Sequence, residues 1–369
     1  MKVRLSKCSI GSSEIAAVKE ALKSEYLGMG SLVLEFELAI KKYLNTSLDV
    51  ICVNTGTSAL QLSLSALDIK QGDEVLVPSL TYVGSFQAIS ATGATPVACE
   101  VERETFFLDV EDARKKITRK TKAIMPVHYG GSAKYIDAVY ELANEFSLRV
   151  VEDAAQAFGC VRSDHFVGTK GDIICFSFDG IKNITCGEGG AILTGDKSLV
   201  GRLRDDRLLG VQRDSEKRYL GKRSWDFDVE NQGFRFHMSN INAAIGLAQI
   251  KRINNFRKIR QGIVERYLEE LATIPKIIPL NLNYGEVMPH IFVVRAEERD
   301  ELRDYLAKTG VETGIHYKPN HLLTKFRSMK EFPVTEECYL EALTLPCHVD
   351  VTEEELIYVI NSIKNFYNA

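Results

Sequence analysis

The sequence has few of the features that mark secreted, membrane or metal-binding proteins. Among its 369 residues there are eight cysteines and one tryptophan, and no two cysteines form a Cys-x-x-Cys pair. No run of about 18 apolar residues occurs, which argues against a membrane-spanning helix. The first residues, MKVRLSKCSI, lack the apolar segment of a signal peptide. We therefore predict a cytoplasmic protein with reduced cysteines, no membrane association and no metal site.

The chain also lacks an excess of charge of either sign. It has 46 Lys and Arg against 50 Asp and Glu, a formal net charge of -4, and 45% hydrophobic residues. A surface that binds nucleic acid needs a basic excess, so we predict no nucleic-acid partner. Because the chain exceeds the usual size of a single core, we predict a large domain with an N-terminal helical segment, residues 1–250, and a smaller domain, residues 251–369.

What is present from about residue 50 onward is an alternation of short apolar runs with helical patterns. The apolar runs are DVICV, DEVLVP, TPVACEV, KAIMPV, LRVVED, DIICF and GAILT. Such alternation predicts an α/β fold with a mostly parallel sheet. A long helical pattern with a basic solvent face follows in residues 236–271, with no glycine between Gly246 and Gly262. From about Ile277 we predict a small α+β unit with HIFVVRA as a strand, RDELRDYLAKTG as a helix and TEEELIYVINSIKNFY as a closing helix.

Polar clusters follow three of the predicted strands, where an α/β sheet binds its ligands. In NTGTSA, the residues Gly56, Thr57 and Ser58 stand at the amino end of a helix. Unpaired N–H groups, the helix dipole and two hydroxyls at that place suit a phosphate, although simple N-capping would explain the same residues.

The other two clusters, EDAAQ and SFDGIKN, each contain one residue that we single out, a carboxylate in the first and a lysine in the second. Asp153 directly follows an apolar strand, so its carboxylate should need a cationic or N–H partner. A protonated pyridinium nitrogen would be such a partner, and a structural cap is the alternative. Lys182, in SFDGIKN, could attack an aldehyde as the neutral amine, or it could be an ordinary surface lysine. A phosphate turn, Asp153 and Lys182 follow the order found in fold-type I pyridoxal phosphate enzymes.

Over nearly its whole length the sequence resembles the DegT/DnrJ/EryC1/StrS family of pyridoxal phosphate-dependent sugar aminotransferases. The segments that carry the resemblance are NTGTSALQLSLSAL, GDEVLVPSLTYVGS, GATPVACEV, VVEDAAQAFG, SFDGIKNITCGEGGAILT, NINAAIGLAQI, IHYKPNH and LTLPCHVDVTEEEL. The resemblance implies the fold of the aspartate aminotransferase-like enzymes, a large cofactor-binding domain with a mostly parallel central sheet followed by a small C-terminal α+β domain. It also implies pyridoxal 5′-phosphate as the cofactor.

The resemblance further implies roles for individual residues. Lys182 matches the lysine that forms the Schiff base, Asp153 the partner of the pyridinium nitrogen, and Gln156 the glutamine near the cofactor's phenolic oxygen. Tyr82 falls where an aromatic ring stacks on the pyridine. The positions that match the family's phosphate-binding residues are Thr57, Ser58 and Ser177, and Gly56 is a further cofactor-binding candidate because of its place at the amino end of the helix.

The family builds each active site from two subunits, which implies a homodimer with shared sites. The segment that crosses the interface, usually GYNYRM, is GFRFHM here, residues 233–238. Arg235 therefore replaces the asparagine that contacts the neighbour's cofactor phosphate, and His237 replaces an arginine. Arg235 could hold that phosphate, bind a substrate carboxylate or phosphate, or only rearrange an interface salt bridge. His316 and His321, in IHYKPNH, are further candidates for substrate contact, with a structural role as the alternative.

These features predict transfer of an amino group from glutamate to a keto or aldehydo sugar, most simply a nucleotide-linked keto-deoxysugar for surface polysaccharide, lipopolysaccharide or other amino-sugar biosynthesis. Arg235 also suits an acidic sugar without a nucleotide, for example an oxidised 3-deoxy-octulosonate. Dehydratases on the same scaffold have histidine where this chain has Lys182, which argues against that class. A regulatory protein without activity would leave the cofactor constellation unexplained. The basic segment 202–223 is predicted to be a solvated loop, or one that meets an anionic substrate.

Overall fold

The computed structural model describes residues 1–368, in which helices and strands alternate along most of the chain. The helices are α1 (Ser12–Lys23), α2 (Ser31–Leu44), α3 (Gly56–Ala66), α4 (Val83–Ala91), α5 (Val110–Lys116), α6 (Ile136–Glu145), α7 (Lys197–Asp206), α8 (Asp214–Tyr219), α9 (Asn240–Ile250), α10 (Ile253–Leu271), α11 (Arg299–Lys308), α12 (Pro333–Glu341) and α13 (Glu353–Asn368). The strands are β1 (Asp49–Val53), β2 (Glu74–Pro78), β3 (Thr95–Cys99), β4 (Thr121–Ile124), β5 (Arg149–Asp153), β6 (Val161–Arg162), β7 (His165–Phe166), β8 (Ile173–Ser177), β9 (Gly190–Thr194), β10 (Ile277–Pro279), β11 (Phe292–Ala296) and β12 (Ala342–Leu345). Short 3-10 turns occupy Tyr129–Gly131, Asn320–Leu322 and Thr324–Phe326.

Seven strands form the central sheet, in the order β1-β9-β8-β5-β4-β2-β3. Strands β8, β5, β4, β2 and β3 pair in parallel, whereas β9 runs antiparallel to both β1 and β8. The predicted α/β fold with a mostly parallel sheet is therefore confirmed. Because β1, β5 and β8 all run in one direction, their carboxyl ends meet at the same edge of the sheet.

Both faces of this sheet are covered by helices. Along β1, Val50 and Cys52 join one apolar cluster with Phe36 of α2, whereas Ile51 and Val53 join another with residues of α3 and α4. This alternation follows from the two-residue period of a strand. Burial on both faces explains why the strands appear in the sequence as continuous apolar runs.

A second, three-stranded antiparallel sheet, β10-β11-β12, lies in the C-terminal part of the chain. Its apolar face packs with α10, α11 and α13 in a third cluster, which also includes Val3 from the start of the chain. The predicted strand HIFVVRA and the two predicted helices of this part correspond to β11, α11 and α13. A division into domains at residues 250 and 251 stays a prediction, and Val3 packs with the C-terminal cluster although it belongs to the predicted first domain.

The long helical pattern predicted over residues 236–271 forms two helices, α9 and α10, which are separated at Lys251 and Arg252. Arg252 donates its backbone N–H to Gln249 O at 2.9 Å, and its side chain reaches both oxygens of buried Glu14, at 2.9 and 3.0 Å. Burial alone would raise the pKa of Glu14, but these bonds and the N–H of Gly11 hold it at about 2. The side-chain anchor at this junction involves a residue more than 200 positions earlier and has no local signal.

The segment 202–223 is likewise not a plain solvated loop. It contains the end of α7 and all of α8, and Arg207 within it is fully buried. Arg207 Nη1 contacts Glu37 Oε1 at 2.6 Å and donates to the carbonyl of Cys52 at 2.7 Å, and the hydroxyl of Tyr219 donates to Glu37 Oε2 at 2.7 Å. This buried ion pair fixes the segment against α2 and β1.

Candidate active site

The carboxyl ends of β1, β5 and β8 open into one cavity of about 530 Å³. Eight of the residues predicted for the site line it, namely Gly56, Thr57, Tyr82, Asp153, Gln156, Ser177, Lys182 and His316. Four others, Ser58, Arg235, His237 and His321, do not line it. The structure therefore brings together the core of the predicted set, from segments more than 250 residues apart in the sequence.

At one end of the cavity, α3 begins close to the end of β8. A Cβ added to Gly56 would lie 2.7 Å from Ser177 Cβ, so only glycine permits this approach. The first N–H groups of a helix have no intrahelical partner, and here they adjoin the side chains of Thr57 and Ser177. This arrangement suits a phosphate.

Ser58 does not line the cavity in this chain. Thr55, the residue before α3, accepts the backbone N–H of Ser58 at 2.9 Å and pairs with its hydroxyl at 2.8 Å. Ser58 thus takes part in capping the helix, and its phosphate-binding role stays a prediction. Thr55 itself lines the cavity and was not predicted.

Asp153 is the last residue of β5 and is 5% exposed. Burial raises its pKa, and this is opposed by the hydroxyl of Ser85, which donates to Oδ2 at 2.7 Å, and by the N–H of Ala155, which donates to Oδ1 at 3.2 Å. The positive charge of Lys182 also favours its ionised form. Because these contacts do not fully offset the cost of burying its charge, the carboxylate can hold a cationic N–H inside the cavity.

Lys182 lies across the same cavity, in the turn that follows β8. Burial lowers its pKa, while Asp153 and Asp179 oppose the shift by favouring the ammonium form. The side-chain nitrogen has one hydrogen-bonding side-chain contact, with His290 Nε2 at 3.4 Å. A lysine in this environment loses its proton more readily than an exposed one and becomes a nucleophile.

One wall of the cavity is formed by the aromatic residues Tyr82 and Tyr317 and by the amide of Gln156. Tyr82 is 58% exposed and its ring centroid lies 5.7 Å from that of Tyr317. Gln156 accepts the N–H of Gly130 at 2.9 Å and donates to the hydroxyl of Tyr317 at 3.4 Å. Tyr82 is thus free to cover a flat ring, and Gln156 is fixed at both ends of its amide.

The two histidines of IHYKPNH occupy different surroundings. His316 lines the cavity, pairs through Nδ1 with Thr344 Oγ1 at 2.8 Å, and has a pKa lowered to about 4 by burial and by Lys182. His321 lies outside the cavity and is buried between Ser79, at 2.7 Å from Nδ1, and Glu336, at 3.2 Å from Nε2. These contacts give His321 a packing role within one chain.

Arg235 and His237 also lie outside the Lys182 cavity. They border a separate hollow of about 170 Å³ together with Arg218. Backbone bonds from Leu209 N to Phe234 O, at 3.0 Å, and from Asn54 N to Phe236 O, at 2.6 Å, hold their segment beside β1. Burial and the three arginines 218, 235 and 207 lower the pKa of His237 to about 4. Within one chain, neither side chain is part of the site.

The residues present fit pyridoxal phosphate. The cavity has phosphate donors at the α3 terminus, a buried carboxylate for the ring nitrogen, a lysine with a lowered pKa and an exposed tyrosine ring.

Ser85 and His290 were missed by the sequence analysis, because a serine and a histidine have no local signal that reveals a partner 68 or 108 residues away. Among residues 1–368, no cluster of His, Cys, Asp or Glu suits a metal ion, and none of the helices there is long and apolar enough to cross a membrane.

Comparisons with known proteins agree with this geometry. The model of the DegT/DnrJ/EryC1/StrS aminotransferase family matches residues 8–364. The aminotransferase TlmJ of Streptoalloteichus hindustanus is 30% identical, with a TM-score of 0.92 over 99% of this chain and 98% of that one. DesV of S. venezuelae is 33% identical, with a TM-score of 0.88 over 96% and 94% of the two chains. The PLP form of Spr1654 from Streptococcus pneumoniae is 28% identical, with a TM-score of 0.91 over 100% and 99%.

Proposed function

Because the chain belongs to the DegT/DnrJ/EryC1/StrS aminotransferase family and is a pyridoxal phosphate-dependent sugar aminotransferase, we propose that it moves an amino group from glutamate to a nucleotide-linked keto-deoxysugar. We place this reaction in the cytoplasm, in the biosynthesis of amino sugars for surface polysaccharide such as lipopolysaccharide. The observation that carries the assignment of the site is the enclosure of Lys182 and Asp153 in one cavity at the carboxyl ends of β5 and β8.

Each residue of the cavity has a physical task in this proposal. The bound cofactor carries the amino group between the two substrates and takes up the electron pair that is left when a proton is removed. Lys182 Nζ takes up and returns that proton, and its burial keeps the neutral amine accessible. Asp153 would hold the positively charged ring nitrogen of the cofactor, and Tyr82 would cover one face of the ring and exclude water from it.

A second substrate class is favoured by the charges around Arg235. Arg235 and Arg218 border one small hollow, where Arg218 is paired with Asp214 at 2.5 Å, so Arg235 is the guanidinium group that would bind a carboxylate or a phosphate. We therefore keep an acidic keto or aldehydo sugar without a nucleotide as the alternative acceptor.

The two classes can be separated with the aminated form of the purified enzyme. We expect faster loss of its absorption with a nucleotide-linked 4-keto-6-deoxysugar than with a free keto sugar acid. An Arg235→Asn variant should then retain its preference for the nucleotide sugar. A faster reaction with the sugar acid, lost in Arg235→Asn, would establish the alternative instead.

We further propose that two copies of the chain share their sites, with Arg235 and His237 facing the cofactor phosphate and substrate of the partner. Neither residue lines the cavity of its own chain, and Arg235 is exposed. The chain segment before Arg235 exposes three large apolar side chains, Leu220 at 74%, Trp225 at 86% and Phe227 at 52%, and Phe227 borders the same hollow as Arg235. An apolar surface of this kind supports cover by another protein chain.

Subunit complementation tests the shared site. A Lys182→Ala chain and an Arg235→Asp chain should each be inactive in this scheme, whereas a refolded equimolar mixture should recover about a quarter of the wild-type activity. Half of the dimers in the mixture are mixed. In each mixed dimer, one of the two sites combines an intact Lys182 with an intact Arg235 from across the interface, and the other site has neither. Failure of the mixture to recover activity, when an affinity tag on one variant co-purifies the other, would mean that Arg235 serves the site of its own chain. An active Arg235→Asp chain would mean that Arg235 serves neither site.

A further inference from the structure

His290 lies directly against the proposed reacting nitrogen. Its Nε2 is 3.4 Å from Lys182 Nζ, and the residue is 5% exposed. The backbone on its amino-terminal side is fixed from two directions, since Asn183 Nδ2 donates to Met288 O at 3.0 Å and Arg260 Nη1 donates to Pro289 O at 3.1 Å. The backbone that carries the imidazole is therefore held in place independently of Lys182.

The His290 side chain has few hydrogen-bond partners among residues 1–368. Its Nδ1 is buried and has no hydrogen-bond partner within residues 1–368, so the lysine nitrogen is the side chain's one polar contact there. The charged and titratable groups that face it are Lys182, Arg260 and His316, and with burial they lower its pKa well below the usual range. His290 is thus a neutral imidazole, with one N–H and one lone pair.

Which nitrogen carries the proton follows from the chemistry of lysine. An ammonium group has three donors and no acceptor, so a lysine in that form can bond His290 only if Nε2 offers its lone pair. The N–H then lies on Nδ1. The same arrangement works when Lys182 is neutral, because an amine N–H can still donate to Nε2 and its own lone pair stays available toward the cavity.

We propose that His290 is a positioning residue that holds the Lys182 nitrogen whenever this nitrogen is not bonded to the cofactor. The bond from Nζ to Nε2 retains the freed lysine at the wall of the cavity and directs its lone pair inward, toward the side that contains Asp153. Because Nε2 accepts from the ammonium form, it also limits how far burial depresses the lysine pKa. This inference rests on the proposed role of Lys182, but it concerns the state of one nitrogen and can be tested without turnover.

The test measures the titration of Lys182 in full-length protein freed of cofactor. Competitive labelling with acetic anhydride across pH, followed by mass spectrometry of the peptide that contains Lys182, gives the midpoint at which this amine becomes reactive. In His290→Gln the amide can place an acceptor near the position of Nε2, whereas the shorter His290→Asn reaches only the position of Nδ1. We expect His290→Gln to retain the wild-type midpoint and His290→Asn to lower it by about one to two pH units, the effect of losing a hydrogen bond to a charged group.

His348 supplies the matched control. It is equally buried, also has an unpartnered Nδ1 among the described residues, and bonds through Nε2 to the carbonyl of Arg4 at 3.2 Å. The same two substitutions at His348 should leave the Lys182 midpoint unchanged. Equal midpoints in His290→Gln and His290→Asn, whether shifted or not, would overturn the proposal. An enzyme that proved to use another lysine would instead fail in borohydride trapping, so the two failures are distinguishable.

Discussion

Removal of the hydroxyl of Ser85 should move the pH range in which the protein binds its cofactor. Ser85 donates to Asp153 Oδ2 at 2.7 Å, and the two residues are 1% and 5% exposed. A buried hydrogen bond to a charged group contributes about 1.5–3 kcal/mol. Since one pKa unit corresponds to about 1.4 kcal/mol, Ser85→Ala should raise the pKa of Asp153 by about one to two units beyond its already raised value.

The consequence follows from the charge that Asp153 must carry. Only the ionised carboxylate holds a positive ring nitrogen, so affinity for pyridoxal phosphate falls as pH decreases through the pKa of Asp153. In Ser85→Ala this loss should begin about one to two pH units higher than in the wild type, with little difference at alkaline pH. The measurement is the dissociation constant of pyridoxal phosphate as a function of pH, with absorbance as the signal.

A matched control is Ser63→Ala, which removes a buried hydroxyl that donates within α3 to Ala59 O at 2.8 Å. This variant should show the wild-type pH profile. Superimposable profiles of Ser85→Ala and the wild type would refute the claim that the Ser85 bond sets the ionisation of Asp153.

Two further predictions concern stability. The folded-state pKa of Asp153 is raised, so the wild type loses stability as pH rises above about 4, the pKa of an unfolded aspartate. Cofactor-free Asp153→Asn lacks this loss, so its melting temperature should gain on that of the wild type as pH rises from there. A melting temperature that instead falls further behind the wild type as pH rises would contradict this. Arg207→Met leaves buried Glu37 without its cation. The free energy of unfolding, measured in urea at neutral pH, should fall by about 3–5 kcal/mol, and the double variant Arg207→Met/Glu37→Met should recover most of this loss.

The sequence allowed the central sheet and the middle of the site to be predicted because both depend on local signals. The strand DIICF is buried on both faces, so it is a continuous apolar run, and the polar residues after it, including Lys182, lie where parallel strands end. The position of Asp153 directly after VVE gave the same kind of signal. These residues converge because topology brings neighbouring strand ends together.

The parts that could not be predicted depend on partners distant in the chain. Arg207 lies in a run of charged residues that is typical of a solvated surface, and only its pairing with Glu37, 170 residues earlier, explains its burial. Ser58 shares its motif with Thr57, yet its bonds to Thr55 in the cap of α3 were not predicted from the sequence. His290 follows a proline in a segment with no polar pattern, so nothing near it in sequence indicates the lysine beside it.

The central claim is that Lys182 is the lysine to which the cofactor bonds. It is tested most directly by borohydride reduction of the protein with pyridoxal phosphate, followed by peptide mass spectrometry. We predict a single pyridoxyl group on Lys182 in the wild type and no pyridoxyl group in Lys182→Ala. The control is Lys318→Ala, which changes a lysine next to the cavity residue Tyr317 and should retain the pyridoxyl group on Lys182. A pyridoxyl group on another lysine in the wild type, or none at all, would contradict the account.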